Sequence, residues 1–391
     1  MTENKLPKNF GFGEDEALLK DLAGRFLRDE FPVERLRDLV AADPDSVYQH
    51  GALPAWDREL WKRCVEMGWG GLAVGVDEGG AGFSRAGIVG VVEEVGRAAF
   101  PSPLVATLNA SFVLRESEAP SARAWLRRIA EGATASLACT NARGDWRPHE
   151  TDLQVDQEGR LTGTAYFVQD AFKADFFVVL AREGEGSSSR ARLYGVPADA
   201  AGVSLEQDHI HDLTRDQAKV TFKQVGGSGI DLISDLGSEA LARAWPTILV
   251  LASADLCGTA EWQLQTTTEY AKTRKQFDRP IGFFQAVKHP LSNAMIGIDR
   301  ARALVYHAAS CLDQGHRDAE KAARMAKSAA SDAGRFVSDR SVQLHGGIGF
   351  TWECDVHVYF KRSMHNQALY GDGAYQRRWL ADRIIGPVGA A

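Results

Sequence analysis

The chain has 391 residues, more than one compact core usually organises, so two or three domains are expected. Its 45% hydrophobic and 25% charged residues are those of an ordinary folded protein and exclude a fibrous or disordered chain. A net charge of −7 without long runs of one sign argues against non-specific binding to nucleic acid or to a membrane surface, so a polyanionic ligand would need a local cationic site.

The opening residues, MTENKLPKNFGFGEDEALLKDL, lack the apolar stretch of a signal peptide. Residues 14–26 place Leu18, Leu19, Leu22 and Phe26 three and four apart, which predicts an amphipathic helix. A similar helix over 56–67 is broken by Gly68-Trp69-Gly70-Gly71. A second Gly-rich turn, Glu78-Gly79-Gly80-Ala81-Gly82, leads to Ser84 as the N-cap of a helix over 88–95 that closes near Gly96. From about Ala135 the texture changes. Segments 136–140, 163–168, 176–180, 192–196 and 217–222 are short, β-branched or aromatic, and separated by Gly, Asp and Ser, which predicts a small antiparallel barrel or sandwich. Residues 183–189 read as an exposed hairpin loop and 224–229 as a Gly-rich linker.

From about Ser238 the chain is helical again, punctuated by Pro246, Gly258, Pro280, Pro290, Gly315 and Gly346-Gly347-Ile348-Gly349. The apolar window 245–256 is too short to span a membrane and predicts a buried helix. The expected fold class is therefore α+β. It comprises an N-terminal helical domain over 1–133, a middle β domain over 134–228 and a C-terminal bundle of antiparallel helices over 236–391. Cys64, Cys139, Cys257, Cys311 and Cys354 are odd in number and lack metal-ligand or redox spacing, which points to small buried hydrophobes in a reduced, cytoplasmic compartment.

Two C-terminal segments carry chemistry. Arg274 offers a planar donor fork suited to a diphosphate or a carboxylate, and Gly346 and Gly347 let backbone N–H groups approach a phosphate without a Cβ in the way. Gln285 and Gln343 pair donor with acceptor, as an adenine edge or a ribose requires. Taken singly, each has a plainer reading, as a surface charge at a helix end or a helix C-cap. Together, Tyr270-Ala271 through Arg274, Phe277, Ile281 and Phe284-Gln285 resemble the Y-A-x-x-R-x-x-F-x-x-x-I-x-x-F-Q signature of the acyl-CoA dehydrogenases. Gln343 with Gly346-Gly347-Ile348-Gly349-Phe350 resembles that family's second signature, Q-x-x-G-G-x-G-[FY], and Trp61, Gly68, Trp69, the 79–82 turn and 93–97 match its N-terminal domain.

The resemblance implies FAD, whose adenine and diphosphate half would be held by Arg274, Phe277, Gln285, Gln343, Gly346 and Gly347 while the flavin is held mainly by a neighbouring subunit. It therefore implies at least a dimer and ordinarily a tetramer built as a dimer of dimers. It also implies an acyl-CoA substrate that loses an α-proton to a carboxylate and a β-hydride to flavin, with electrons passed to electron-transfer flavoprotein or a similar acceptor.

Three departures fall on the chemistry. The family's Y-E-G-[TS] base segment reads Tyr370-Gly371-Asp372-Gly373, so Gly371 stands at the Glu position and Asp372 is the adjacent carboxylate. Asp372 is either the base or the cap of a helix beginning near Ala374. The family's other base position falls near Ile248, which cannot take a proton. The flavin-edge strand G-x-K-x-W-I-T-N reads 163–170, with Phe167 as the stacking aromatic and Gln169 in place of the Thr that bonds the ring. The T-E-x-x-x-G-S-D loop survives in Thr140, but Asn141 replaces its Glu. The residues serving a neighbour's FAD are intact and those serving this chain's own are altered. This resembles the unlike-chain heterotetramers that act on steroid side chains, in which one chain of each pair supplies the base, and makes the chain a candidate for such a pairing, with a homomer using Asp372 as the alternative. Three readings follow: an acyl-CoA dehydrogenase or a subunit of one, a non-catalytic assembly partner, and a flavin-dependent monooxygenase on the same fold.

Overall fold

The computed structural model describes residues 9–41, 56–145, 150–184 and 190–386. Six helices come first: α1 (Glu14–Glu30), α2 (Val33–Ala41), α3 (Arg58–Glu66), α4 (Arg85–Arg97), α5 (Leu104–Leu114) and α6 (Pro120–Ala130). Asp57 caps α3 by accepting from the Leu60 N–H, and Ser84 caps α4 by accepting from the Gly87 N–H at 3.1 Å. The face of α1 differs from the predicted stripe, because Leu18 and Leu22 are 55% and 52% exposed while Ala23, Gly24 and Leu27 are buried. The small pair at 23 and 24 lets α1 lie close on α4, and Lys20 then reaches the buried Glu93 at 2.6 Å. Glu93 also accepts from Arg302 at 2.7 Å and Tyr306 at 3.1 Å, which pins α1 and α4 to the C-terminal bundle.

The middle region is one eight-stranded sheet: β1 (Ala135–Ala138), β2 (Gln154–Val155), β3 (Leu161–Gln169), β4 (Phe176–Glu183), β5 (Arg190–Pro197), β6 (Val203–Gln207), β7 (Gln217–Val225) and β8 (Asp231–Ser234). Its order is β6-β7-β3-β2-β4-β5-β8, with β1 beside β4. It is not wholly antiparallel as predicted, because β1 and β2 both pair parallel to β4. The run Phe-Phe-Val-Val-Leu-Ala in β4 lacks polar alternation because both of its faces are covered. Phe176, Val178 and Leu180 join the helical core, whereas Phe177, Val179 and Ala181 join a second core on the far side. The predicted linker at 224–229 is largely structure: β7 runs through Val225, and one 3₁₀ turn leads to β8, which pairs with β5. Glu183 and Arg190 face each other across β4 and β5, and the predicted loop tip at 185–189 lies outside the described residues.

The C-terminal region comprises α7 (Gly237–Thr273), a two-strand hairpin β9 (Lys275–Gln276) and β10 (Arg279–Pro280), then α8 (Gln285–Asp313), α9 (Ala319–His345), α10 (Val356–Ala368) and α11 (Gly373–Ile384). Pro246, Gly258 and Pro290 do not end helices, because tertiary packing outweighs the local cost of each. By length and composition the 37-residue α7 could cross a membrane, but 89% of its most apolar window is buried inside the fold.

Gly96 and Gly258 mark where α4 crosses α7 almost backbone to backbone: a Cβ on Gly258 would collide with the Glu93 carbonyl, and one on Gly96 with the Asp255 carbonyl. Gly258→Ala should therefore destabilise the fold by about 3 kcal/mol, at the upper end of overpacking costs, read as a lower urea midpoint at unchanged m. An unchanged midpoint would show that the two helices separate without cost.

Candidate active site

The residues expected at the flavin ring line one small pocket of about 20 Å³, together with Asn109, Trp245 and Tyr370 beside Thr140, Phe167 and Gln169. Phe167 arrives there through a bulge. The β3–β7 register shifts between Ala165 and Val168, and Phe167 sits at φ +56°, where an aromatic residue costs of order 1 kcal/mol or more. That strain turns the ring out of the ladder and toward the cavity.

Gln169 is 8% exposed, and its amide is committed within the chain. The side-chain N–H₂ donates to Gln217 at 2.7 Å and to the Phe167 carbonyl at 3.2 Å, and the oxygen accepts from His365 Nε2 at 2.9 Å. Burial holds His365 below its ordinary pKa, so the neutral ring carries its proton on Nε2 toward Gln169. A hydrogen bond donated by Gln169 to a flavin ring would have to displace one of its two acceptors. Thr140 is 6% exposed, and its carbonyl accepts from the Tyr166 N–H at 2.9 Å. Beyond it, the Asn141 oxygen accepts from the Arg143 and Asp145 N–H groups, each at 3.1 Å, folding the loop on itself where the family has Glu. Trp146, the end of that loop, lies outside the described residues.

Tyr370 is buried at φ +61° and meets Trp245 edge-on, ring centres 5.4 Å apart. Gly371 follows at φ +88°, and a Cβ there would collide with the Tyr375 ring, so this backbone excludes a side chain where the family carries Glu. Asp372 is exposed and accepts from the Tyr375 N–H at 2.8 Å as the N-cap of α11. Among the described residues, no Asp or Glu lines the cavity. Asp372→Asn should leave stability nearly unchanged because Asn caps equally well, whereas Asp372→Ala should cost about 1 kcal/mol. Equal melting temperatures for wild type and the Ala variant would contradict the capping role.

Two buried assemblies around the cavity have no sequence motif. Asp255 on α7 accepts from Arg215 at 2.6 Å, from Arg362 at 2.6 and 3.0 Å and from Asn366 at 2.7 Å, joining α7, the sheet and α10. Burial alone would raise its pKa, but Arg362 and Arg215 outweigh that and hold it below the ordinary aspartate value, which makes it a fixed anion and no proton acceptor. The fully buried Lys327 donates to the Gln367 carbonyl at 2.9 Å and to the Asn366 and Gly371 carbonyls at 3.2 Å, stapling the Tyr370–Gly371 turn to α9. Burial pushes its ammonium down to about 7, against the pull of Asp372. The one sequence signal is its place on the Ala323, Ala326, Ala330 face of α9, where a lysine must find acceptors.

The second set of expected residues lies elsewhere, at the bundle end where α7 and α9 finish and α8 begins. Arg274 is the C-cap of α7, Gln285 opens α8, Gln343 is in the last turn of α9 and Gly346 is its C-cap. All four are exposed, as is Gly347, and nothing lies within 4 Å of where Cβ atoms on Gly346 and Gly347 would project. Arg274 makes no ion pair among the described residues. Phe277 is 85% exposed at the tip of the β9–β10 hairpin, in a two-residue turn with Asp278 where both φ angles are positive. A free cation, an open glycine turn and an exposed aromatic fit the diphosphate and adenine half of FAD approached from outside the chain. The inner set fits a flavin ring less well, because both donors of Gln169 are committed within the chain.

Comparison with known proteins agrees with this architecture. Residues 13–133 match the acyl-CoA dehydrogenase N-terminal domain and residues 250–385 the acyl-CoA dehydrogenase C-terminal domain. The acyl-CoA dehydrogenase IpdE2 of Mycobacterium tuberculosis is 32% identical over 79% of this chain and 81% of its own length. Its namesake in Mycolicibacterium smegmatis is 30% identical over 90% and 98%. Among solved structures, a variant of the steroid acyl-CoA dehydrogenase Tcur3481-Tcur3483 superposes with a TM-score of 0.82 at 28% identity, covering 96% of this chain and 98% of that one. The ChsE4-ChsE5 complex of M. tuberculosis gives 0.83 at 24% identity over 97% and 100%, a likeness of fold. Matched at both ends and similar over nearly its whole length, the chain belongs to the acyl-CoA dehydrogenase family of FAD-dependent oxidoreductases.

Proposed function

We propose that this chain is one subunit of an unlike-chain acyl-CoA dehydrogenase, lending half of an FAD site to its neighbour while the neighbour supplies the base. The observation that carries this reading is the Gly371 turn: its positive φ and the Tyr375 ring exclude a side chain, Asp372 is turned out as a cap, and the cavity wall holds no carboxylate among the described residues. FAD, when bound, supplies the two-electron acceptor for α,β-dehydrogenation of an acyl-CoA thioester. Arg274 would neutralise its diphosphate, Gly346 and Gly347 would let it approach the backbone, Gln285 and Gln343 would bond the adenosine, and Phe277 would cover it from water. The α-proton leaves to a carboxylate on the other chain. The relatives named as two-chain assemblies support the heteromer. A soluble acceptor such as electron-transfer flavoprotein would take the electrons, and five unbridged cysteines favour a reducing cytoplasm.

The test is the absorbance spectrum and enoyl-CoA formation of the purified chain, alone and co-expressed with an unlike family chain that carries the Glu. Flavin and turnover are expected only in the mixed oligomer, and Asp372→Asn should leave that turnover unchanged. A homomer that forms enoyl-CoA and loses two or more orders of magnitude of rate in the Asn variant would return the base to Asp372.

A further inference from the structure

The grip just proposed needs Arg274 and the Gly346–Gly347 turn held at a fixed separation, although they end two helices far apart in sequence. Three rungs join those helices, two of them buried and the third a half-buried tyrosine against a buried histidine. Gln263 donates to Ser338 Oγ at 3.0 Å, the Thr267 and Ser341 hydroxyls meet at 2.5 Å, and the Tyr270 and His345 rings stack with centres 4.3 Å apart and planes 22° apart. The steps are four and three residues on α7 and three and four on α9, so each set occupies one helix face and both climb together. The two helices therefore run parallel through this seam, as two helices separated by the returning α8 must. Within four residues of the last rung on α7, and one on α9, each helix reaches its C-cap, Arg274 and Gly346.

The seam's chemistry explains why its register is specific. Gln263, Thr267, Ser338 and Ser341 are at most 2% exposed, and the neighbouring buried residues of α9 include Ala330, Ala333 and Gly334, which interlock weakly. A slip of one residue moves a helix end by 1.5 Å and turns it 100°, leaving buried hydroxyls without partners, whereas an all-alanine seam would tolerate it. The top rung connects directly to both ligand groups. The Arg274 N–H donates to the Tyr270 carbonyl at 2.8 Å, and Gly346 follows His345 in the chain. His345 Nδ1 donates to the Ser341 carbonyl at 2.8 Å, and burial keeps the ring below its ordinary pKa and neutral, so it lies flat on Tyr270 without carrying charge.

We infer that Gln263–Ser338, Thr267–Ser341 and Tyr270–His345 are positioning pairs that set the spacing between the Arg274 cation and the Gly346–Gly347 turn for a diphosphate ligand. The stacked ring pair is the rung that sets the final spacing. The inference rests on the proposed role of this bundle end in holding FAD.

FAD titration of the FAD-free assembled oligomer by flavin fluorescence tests it, with the melting temperature of each FAD-free form recorded alongside. His345→Ala should raise the FAD Kd about tenfold or more. His345→Phe keeps a flat ring on Tyr270 and should stay within about threefold of wild type. Thr267→Val with Ser341→Ala removes the middle rung at nearly constant volume and should raise the Kd several-fold even if His345→Ala folds poorly. Equal Kd values for the Ala and Phe variants, or wild-type affinity in the double variant, would overturn the positioning role. An Arg274→Ala control that loses FAD in the same series keeps the failure of the spacing idea distinct from failure of the site itself. If Arg274→Ala also binds like wild type, the site and this inference fall together.

Discussion

Arg274→Ala in the assembled oligomer should weaken FAD binding by about 30-fold or more, roughly the 2 kcal/mol or more expected when a charge-assisted hydrogen-bonding group is removed. The magnitude follows from what surrounds it. The chain carries a net charge of −7, and the C-termini of α7 and α9 both point their negative dipole ends toward this surface, so an anion would otherwise be repelled. Two neighbouring cations are engaged: Lys272 pairs with Glu269 at 2.5 Å, and the Arg279 guanidinium lies 4.4 Å from the centre of the Phe283 ring. Arg274→Lys should recover only part of the loss, because a point charge cannot reproduce the two-pronged contact. Affinity should also fall with added salt in wild type, and less steeply in the Ala variant. A Kd unchanged within twofold, measured by titrating FAD into the FAD-free oligomer, would remove Arg274 from the site.

Asp255→Ala should be the most damaging substitution for the fold, costing about 3–5 kcal/mol, which is a large part of the 5–15 kcal/mol that holds an ordinary domain together. It leaves the wholly buried Arg362 without a carboxylate partner and Arg215 with Asp170 at 3.2 Å, and it removes the charged link between α10 and α7. Asp255→Asn keeps the shape but leaves two buried cations facing a neutral amide, so it should cost nearly as much. The pH dependence has a definite sign. The folded Asp255 pKa is depressed, so its contribution is fully present above the ordinary aspartate pKa of about 3.9 and is lost as pH falls through the lower folded value. Acid unfolding monitored by circular dichroism should show a low-pH transition that the Asn variant lacks. An Asn variant as stable as wild type at pH 7 would show that the cluster contributes nothing net.

The outer half of the proposed cofactor site was legible because it would be built from short continuous segments. Arg274, Phe277 and Gln285 fall within twelve residues, and Gln343, Gly346 and Gly347 within five, so spacing alone preserves their relation. The inner half of the proposed site was legible only as a set of positions. Thr140, Phe167 and Gln169 do share one cavity, yet nothing in the string revealed that Gln169 is bound by His365 and Gln217, which lie 196 and 48 residues away. Asp372 left two roles open at the level of sequence. The cap geometry became visible only with the turn of Gly371 and the position of Tyr375.

Local pattern determined the order of helices, sheet and bundle, the cap at Ser84, and the two family signatures, since each depends on residues within one or two turns of one another. Tertiary structure decided what depends on distant partners. It selected which face of α1 is buried, because Gly24 and Lys20 meet α4 while Leu18 and Leu22 do not. It made Gly258 part of a helix crossing with Gly96 rather than a helix end, and it carried α7 through Pro246. It also made parallel partners of β1 and β4, and a neutralised cluster of Asp255, Arg215 and Arg362. The physical reason is the same in each case. Propensity and capping are worth about 1 kcal/mol per residue and act over a few positions, whereas close packing and buried charge pairing involve several kcal/mol and act between segments that only folding brings together.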